Sequence, residues 1–325
     1  MKLFTTFSFL LLMLYFISCD TQPPDILQPV QKEGSVIITS DISGAKVYLN
    51  SVYKGVADLT LSLQPGEYSI YLVKDTLRSD TQTVNVESGK TYRLYFVLGK
   101  RSSVLLEDFA NVSCDPCVES SLILNKLLSS RYANDKLIVI RYATNFPSPN
   151  DPFYLANSGM NDNRIGMYNV LFAPTTIVDG VEKPIATDSV SIIEAVDSRL
   201  SLHSSFLINN LSLNITSDSI SVSGNLILPS SGYENDKLFI ALIRKEVVYQ
   251  TPPGSNGETV FRDVAFAFIP NNDGVPLTDL TVNNNSAAFE YKIVNTFTEP
   301  ADNIAAVFFI QNIISREVYF VTKKE

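Results

Sequence analysis

The chain has no tryptophan, a single histidine (His203) and three cysteines, Cys19, Cys114 and Cys117. A His-rich zinc site is therefore excluded, and a Ser-His-Asp triad would have to rest on one imidazole. Positive charge is also scarce, with 25 Lys and Arg against 34 Asp and Glu and a formal net charge of -9. A phosphate-binding surface needs clustered Lys and Arg that release counterions, so nucleic acid is excluded as a partner. What remains is a globular composition: 325 residues, 45% hydrophobic and 18% charged, enough for two or three domains. No motif implies a cofactor.

Lys2 is followed by a mostly apolar run over residues 4–17 that closes on Ser18-Cys19-Asp20. A charged front, a short apolar stretch and a small residue at its end read as a secretory signal peptide. A bilayer-spanning helix needs about 20 apolar residues; the alternative here is an uncleaved apolar anchor with an incidental cysteine. Phe16-Ile17-Ser18-Cys19 resembles a bacterial lipobox. That resemblance implies that residues 1–18 are removed and that Cys19 is lipidated. Each acyl chain then contributes about 0.8 kcal/mol per buried methylene to membrane binding. Residues 19–33, with Pro23-Pro24 and no apolar period, form a tether. The expected location is the bacterial cell envelope, as an outer-membrane lipoprotein that is periplasmic or surface-exposed. Its expected partners are the membrane and exported or surface proteins. Disulfides persist in that compartment, and with Cys19 acylated the remaining thiols form one Cys-x-x-Cys.

Over residues 34–99, short β-branched and aromatic runs alternate with turns at Ser43-Gly44, Lys54-Gly55, Pro65-Gly66 and Ser88-Gly89. This spacing predicts a small antiparallel all-β sandwich. Gly44-Ala45-x-Val47-Tyr48-Leu49, Gly55 and Leu63-x-Pro65-Gly66-x-Tyr68 resemble the PEGA module, although Ile42-Ser43 replaces the first half of the name-giving tetrapeptide. The resemblance implies an envelope spacer or binding element.

Residues 100–202 read as an α/β domain. The apolar run Val104-Leu105-Leu106-Glu107-Asp108-Phe109 precedes Ser113-Cys114-Asp115-Pro116-Cys117, and Leu124, Leu127 and Leu128 then follow at helical spacing. The cysteines thus fall at a strand-to-helix junction, with Ser113 a candidate N-cap and Pro116 in the first turn. Unpaired N–H groups and the helix dipole there favour a thiolate at the first cysteine, and the second is placed to resolve a mixed disulfide. Leu137 to Tyr142 is the next buried strand, and Ala173-Pro174 stands directly before Thr175-Thr176-Ile177-Val178.

This combination resembles the thioredoxin fold. It implies Cys114 as attacking thiol, Cys117 as resolving thiol and Pro174 as the cis-proline beside them. Asp108, six residues before Cys114, becomes the buried acid that moves protons for Cys117. Glu107 points to the opposite face and is the weaker candidate. Asp115 stands where many such motifs carry glycine, and its charge opposes thiolate formation. An insertion with Pro147, Pro149 and Pro152 is a candidate cover for the disulfide or a partner-binding element.

Residues 203–325 carry about seven short apolar or alternating segments with Asn-, Ser- and Gly-rich turns, which predicts an immunoglobulin-like sandwich. The Asp273-Gly274 and Asn283-Asn284-Asn285 loops offer oxygens but no motif that converges six to eight of them on calcium. The alternating segments are too few for a membrane barrel. Leu106-Glu107-Asp108-Phe109 with Cys114-x-x-Cys117, followed by Phe261-Arg262-Asp263-Val264 and Phe268-Ile269-Pro270-Asn271-Asn272-Asp273-Gly274, resembles the Omp-twenty-eight-like outer-membrane lipoproteins. The domain order expected is therefore leader (1–18), tether (19–33), PEGA-like module (34–99), thioredoxin-like domain (100–202) and immunoglobulin-like sandwich (203–325). Two functions fit it: thiol–disulfide exchange on exported proteins, or a non-catalytic surface-binding lipoprotein with a structural disulfide.

Overall fold

A computed structural model describes residues 32–325 except 75, 76, 100, 230, 231, 284 and 298. The leader, Cys19 and nearly all of the tether lie outside the described residues. Among the described residues no helix is long and apolar enough to cross a membrane.

The first unit contains β1 (Gly34–Ser40), β2 (Lys46–Leu49), β3 (Val52–Val56), β4 (Leu59–Leu63), β5 (Gly66–Lys74), β6 (Leu77–Arg78), β7 (Gln82–Val86) and β8 (Thr91–Phe96). They form two sheets, β4-β1-β8 and β3-β2-β5-β6, with β7 added on β5. Alternation does the work here: Val36, Ile38, Val47, Leu49, Ile70, Leu72, Leu94 and Phe96 all turn inward to one core. The expectation of a wholly antiparallel sandwich is corrected in one place. β1 and β8 pair in parallel, Ser35 opposite Thr91 through Ser40 opposite Phe96. Side-chain alternation is the same for either strand direction, so it carries no sign of this.

Next come β9 (Val104–Ala110), α1 (Asp115–Ser129), β10 (Leu137–Ala143), α2 (Pro152–Ala156), α3 (Ser158–Tyr168), β11 (Thr175–Val178) and α4 (Ser189–Leu200). β9 and β10 are parallel, and both are buried at every position, the continuous apolar signature of strands covered on two faces. β11 runs antiparallel on the outer side of β9.

The last segment supplies β12 (Leu207–Ile215), β13 (Ser219–Ile227), β14 (Asp236–Val248), β15 (Val260–Phe268), β16 (Val275–Pro276), β17 (Ser286–Val294), β18 (Ile304–Asn312) and β19 (Val318–Lys324). Its strands do not close on themselves. β15 pairs in parallel with β10, with Arg141 opposite Val264. The result is one eight-stranded sheet, β11-β9-β10-β15-β14-β18-β19 with β16 on β14, facing a three-stranded sheet β12-β13-β17. The boundary expected at 202/203 separates stretches of sequence, while the main sheet runs across it.

One face of this sheet carries α1 and α4 at one end, over Val104, Leu106 and Val139. At the other end the three-stranded sheet packs on Leu238, Ile240, Leu242 and Phe308. On the opposite face α3 lies over Leu105, Phe109, Tyr142, Phe239 and Phe309 through Met160 and Tyr168.

A polar knot is buried in that second layer. Glu107 and Arg164 form an ion pair with both side chains at 0% exposure. Arg164 Nε donates to Glu107 Oε1 at 2.9 Å and Arg164 Nη1 to Gln311 Oε1 at 3.0 Å. Tyr168 Oη donates to Glu107 Oε2, and Gln311 Nε2 donates to Tyr168 Oη at 2.7 Å. One carboxylate on β9 is thereby tied to α3 and β18. A second knot has Asp179 accepting from Leu105 N at 3.0 Å and from both Arg101 and Arg199, with Arg101 also donating to Val318 O at 2.7 Å. Gly180 beside it cannot be replaced, because a Cβ there would meet Arg316 O at 1.8 Å.

Arg164→Met leaves Glu107 as an unpaired buried acid and is expected to cost about 3–5 kcal/mol. Urea unfolding followed by far-UV circular dichroism checks this; a loss under about 1 kcal/mol is the value of a solvated pair and contradicts the burial described.

Candidate functional site

The chain leaves β9 at Ala110 and turns through Asn111, Val112 and Ser113 before α1 begins. The N-cap is Cys114, in extended conformation, with no side-chain cap bond and a proline in the first turn. Ser113, the candidate cap from sequence, sits one residue too early. Cys114 and Cys117 are joined as a disulfide, and both are buried, at 2% and 1% exposure. Ala110 and Ala173 pack against the pair. The Ala173-Pro174 peptide is cis and directly precedes β11, so the structure brings Pro174, Cys114 and Cys117 to one end of the sheet.

Three separate segments close around this loop. The insertion after β10 does so through Asp151, whose Oδ2 accepts from Val112 N at 2.8 Å. Asn111 Nδ2 donates to Thr144 O at 2.6 Å and Ser148 O at 2.9 Å. Phe146 and Pro147 form the wall of a recess that Cys114 borders. The second segment is the 171–174 turn. The third comes from the β14–β15 hairpin, where Ser255 lies 142 residues from Ser113 in sequence and donates its N–H to Ser113 Oγ at 3.3 Å. Its Asn256 N donates to Val112 O at 3.2 Å, and Asn256 Nδ2 donates to Cys114 O at 3.3 Å and Asn111 O at 3.4 Å. Gly254 is pressed onto the loop so closely that a Cβ would lie 2.1 Å from Val112 O.

Asp108 is on the same strand face as Ala110, turned toward α1, and is 1% exposed. It does not stand alone as an acid beside Cys117. Arg141 Nε donates to Asp108 Oδ2 at 2.9 Å, and Arg141 Nη2 donates to Ser121 Oγ at 2.8 Å. Glu258, from the same hairpin, lies 3.6 Å from Arg141 Nη1. Asp108 Oδ1 has no hydrogen-bond partner among the described residues. Burial raises the Asp108 and Glu258 carboxyls above their ordinary values, and Arg141 opposes the shift in both. Glu107 faces away, as its alternation requires, into the Arg164 knot. Arg141, Glu258, Asn256 and Gly254 were not singled out from sequence. Only Arg141, a lone charge inside an apolar strand, carries a local sign of a buried partner.

Outside the disulfide an apolar groove of about 470 Å³ runs along Pro116, Pro174 and Pro184. Leu171, Phe172 and Ile185 stand out from it at 73%, 66% and 64% exposure. Asp115 is exposed, and His203 is far along the chain at the edge of the first unit, its Nδ1 3.3 Å from Gly99 O. Among the described residues no group of three or more His, Cys, Asp or Glu is placed to hold a metal.

Comparison with known proteins adds to this geometry. A family model described as the PEGA domain matches residues 33–102. HBP35 of Porphyromonas gingivalis is similar in fold, with a TM-score of 0.56 at 12% identity over 70% of this chain and 75% of that one. A domain of the outer membrane lipoprotein Omp28 from Porphyromonas gingivalis aligns at 14% identity with a TM-score of 0.26, over 38% of this chain and 88% of that one. No curated protein matches the sequence.

Arg141 is also approached by Asp263, next to the β10–β15 contact and at φ 55. Burial pushes the Asp263 carboxyl from 3.8 up to about 6, against the pull of Lys323, Arg141 and Arg262. The folded state thus prefers the protonated acid. Its contribution to stability is complete below 3.8 and is lost as pH rises through about 6. Asp263→Asn, which tolerates the same backbone conformation, is expected to raise Tm at neutral pH and to flatten its fall across that window. An unchanged pH profile of Tm contradicts the assignment.

Proposed function

We propose that the chain is a lipid-anchored protein of the bacterial outer membrane whose thioredoxin-like unit is a non-catalytic binding scaffold, with Cys114–Cys117 as a structural disulfide. The observation that carries this reading is the burial of both sulfur-bearing residues, at 2% and 1%. Exchange proceeds by attack of an external thiolate on one sulfur, and Ala173, the insertion and the hairpin all crowd that approach. The β9–α1–β10 arrangement with antiparallel β11 supports the thioredoxin-like description. The envelope assignment rests on the leader and Cys19 of the sequence and on the PEGA-domain match over residues 33–102. What the unit presents outward is apolar: Leu171, Phe172 and Ile185 border a groove along edge strand β11. An exposed apolar edge of this kind suits an extended segment of an exported or surface protein.

The second reading is thiol–disulfide exchange on exported proteins, with Cys114 attacking, Cys117 resolving, Asp108 moving the proton and Pro174 beside them. It is favoured by the position of Cys114 as the N-cap of α1, where the helix dipole stabilises a thiolate, and by the recess that Cys114 borders.

Two measurements test the proposal. Equilibration in defined dithiol buffers is expected to give a reduction potential below about −300 mV, and Cys117→Ser, which removes the resolving thiol and leaves Cys114 free to attack, is expected to trap no mixed disulfide in cells. A more oxidising couple together with a trapped partner selects the exchange reading. Separately, labelled palmitate is expected to enter the wild-type chain and not Cys19→Ser, which should leave the membrane fraction; equal labelling of both contradicts the anchor.

A further inference from the structure

A cleft of about 230 Å³ opens where the first β unit meets the C-terminal strands, and neither cysteine lines it. Asp80 and Gln82 line it from the first unit, His203 and Ser205 from the connecting stretch, and Asp236 and Tyr319 from the last. The seam is held by specific bonds: Ser205 Oγ donates to an Asp80 oxygen, and His203 Nδ1 meets Gly99 O at 3.3 Å.

The chemistry of the lining is one-sided. Asp80 and Asp236 are acceptors, and Asp236, only 2% exposed, is met by a single side-chain donor, Asn312 Nδ2 at 2.7 Å. Gln82 is 6% exposed and spends its amide N–H on Tyr95 O at 2.8 Å. Its Oε1 has no partner among the described residues but is itself closed to solvent, so Gln82 supports the wall and leaves Asp80 and Asp236 as the acceptors within reach. Against these acceptors stands an apolar wall, Tyr319 stacked on Phe206 with ring centroids 5.9 Å apart. An anion is disfavoured by the two carboxylates. A metal is disfavoured because no qualifying ligand group is found among the described residues. Neutral hydroxyl donors on a ring with apolar C–H faces fit both halves of the lining, and a seam between modules is a usual place for such a pocket.

We propose that this cleft binds a neutral saccharide unit, its hydroxyls donating to Asp236 and Asp80 and its ring lying against the Tyr319 wall. A free sugar and the end of a polymer present the same ring, so the chemistry recognised is one. The test is isothermal titration calorimetry of the mature chain with methyl glycosides of glucose, galactose, mannose and N-acetylglucosamine and with their linear oligomers. Binding by at least one is expected, weakened about tenfold or more by Tyr319→Ala and by Asp80→Ala, and unchanged by Phe172→Ser in the distant groove. Thermal unfolding verifies that each variant is folded, and Asp236→Asn replaces any that is not. Affinity that grows with oligomer length assigns a polymer source, while equal affinity for the methyl glycoside assigns a free sugar. Absence of heat across the whole panel, or binding that survives in both cleft variants, overturns the proposal.

Discussion

β10 and β15 meet in parallel at Arg141 and Val264, and most of what surrounds the cysteines follows from that contact. It extends a short α/β sheet into the strands of the C-terminal half. It also fixes where the β14–β15 hairpin projects, which is under the 111–114 loop. From there Asn256 reaches Cys114 O, Gly254 abuts Val112, and Glu258 approaches the Arg141 that already holds Asp108. A Cys-x-x-Cys at a helix start is locally suited to exchange. Here a distant hairpin closes around it, and the disulfide becomes part of a packed junction.

Charges are placed at the joins of this architecture. Arg164 with Glu107, Arg141 with Asp108, and Arg101 and Arg199 with Asp179 are all pairs with little or no solvent contact. They join segments separated by 20 to 78 residues in sequence. Buried pairs of this kind add little net stability against an apolar replacement, but a mispaired charge is costly. They therefore discriminate against alternative packings of strands that are otherwise uniformly apolar. β10, β18 and the 238–243 stretch of β14 are near-continuous runs of Leu, Ile, Val, Phe and Ala, and apolar burial alone would tolerate several sheet orders.

How much of this was legible in the sequence depended on range. The Cys114–Cys117 pair at a strand-to-helix junction is a local pattern and reads directly. So does the alternation of β1, β2, β5, β7 and β8. β3 escaped because Val52, Tyr53, Lys54 and Val56 are all exposed and Gly55 reads as a turn. The opposite facing of Glu107 and Asp108 was visible from alternation, but not their partners, because Arg164 and Arg141 are brought to them by sheet order and helix placement. The same limit hid the hairpin. Nothing around Gly254 or Asn256 points to Val112 or Cys114, and the apolar runs of the last segment suited a closed sandwich as well as an extension of the preceding sheet.

The central claim is that the closed junction, and not the chemistry of the cysteines, governs the disulfide. The most direct test is the rate of reduction of the native protein as dithiothreitol is increased. A disulfide reached only when the junction opens is predicted to show a rate that levels off at high reductant, at the opening rate. A rate that stays proportional to reductant throughout, as for an accessible disulfide, would contradict the account.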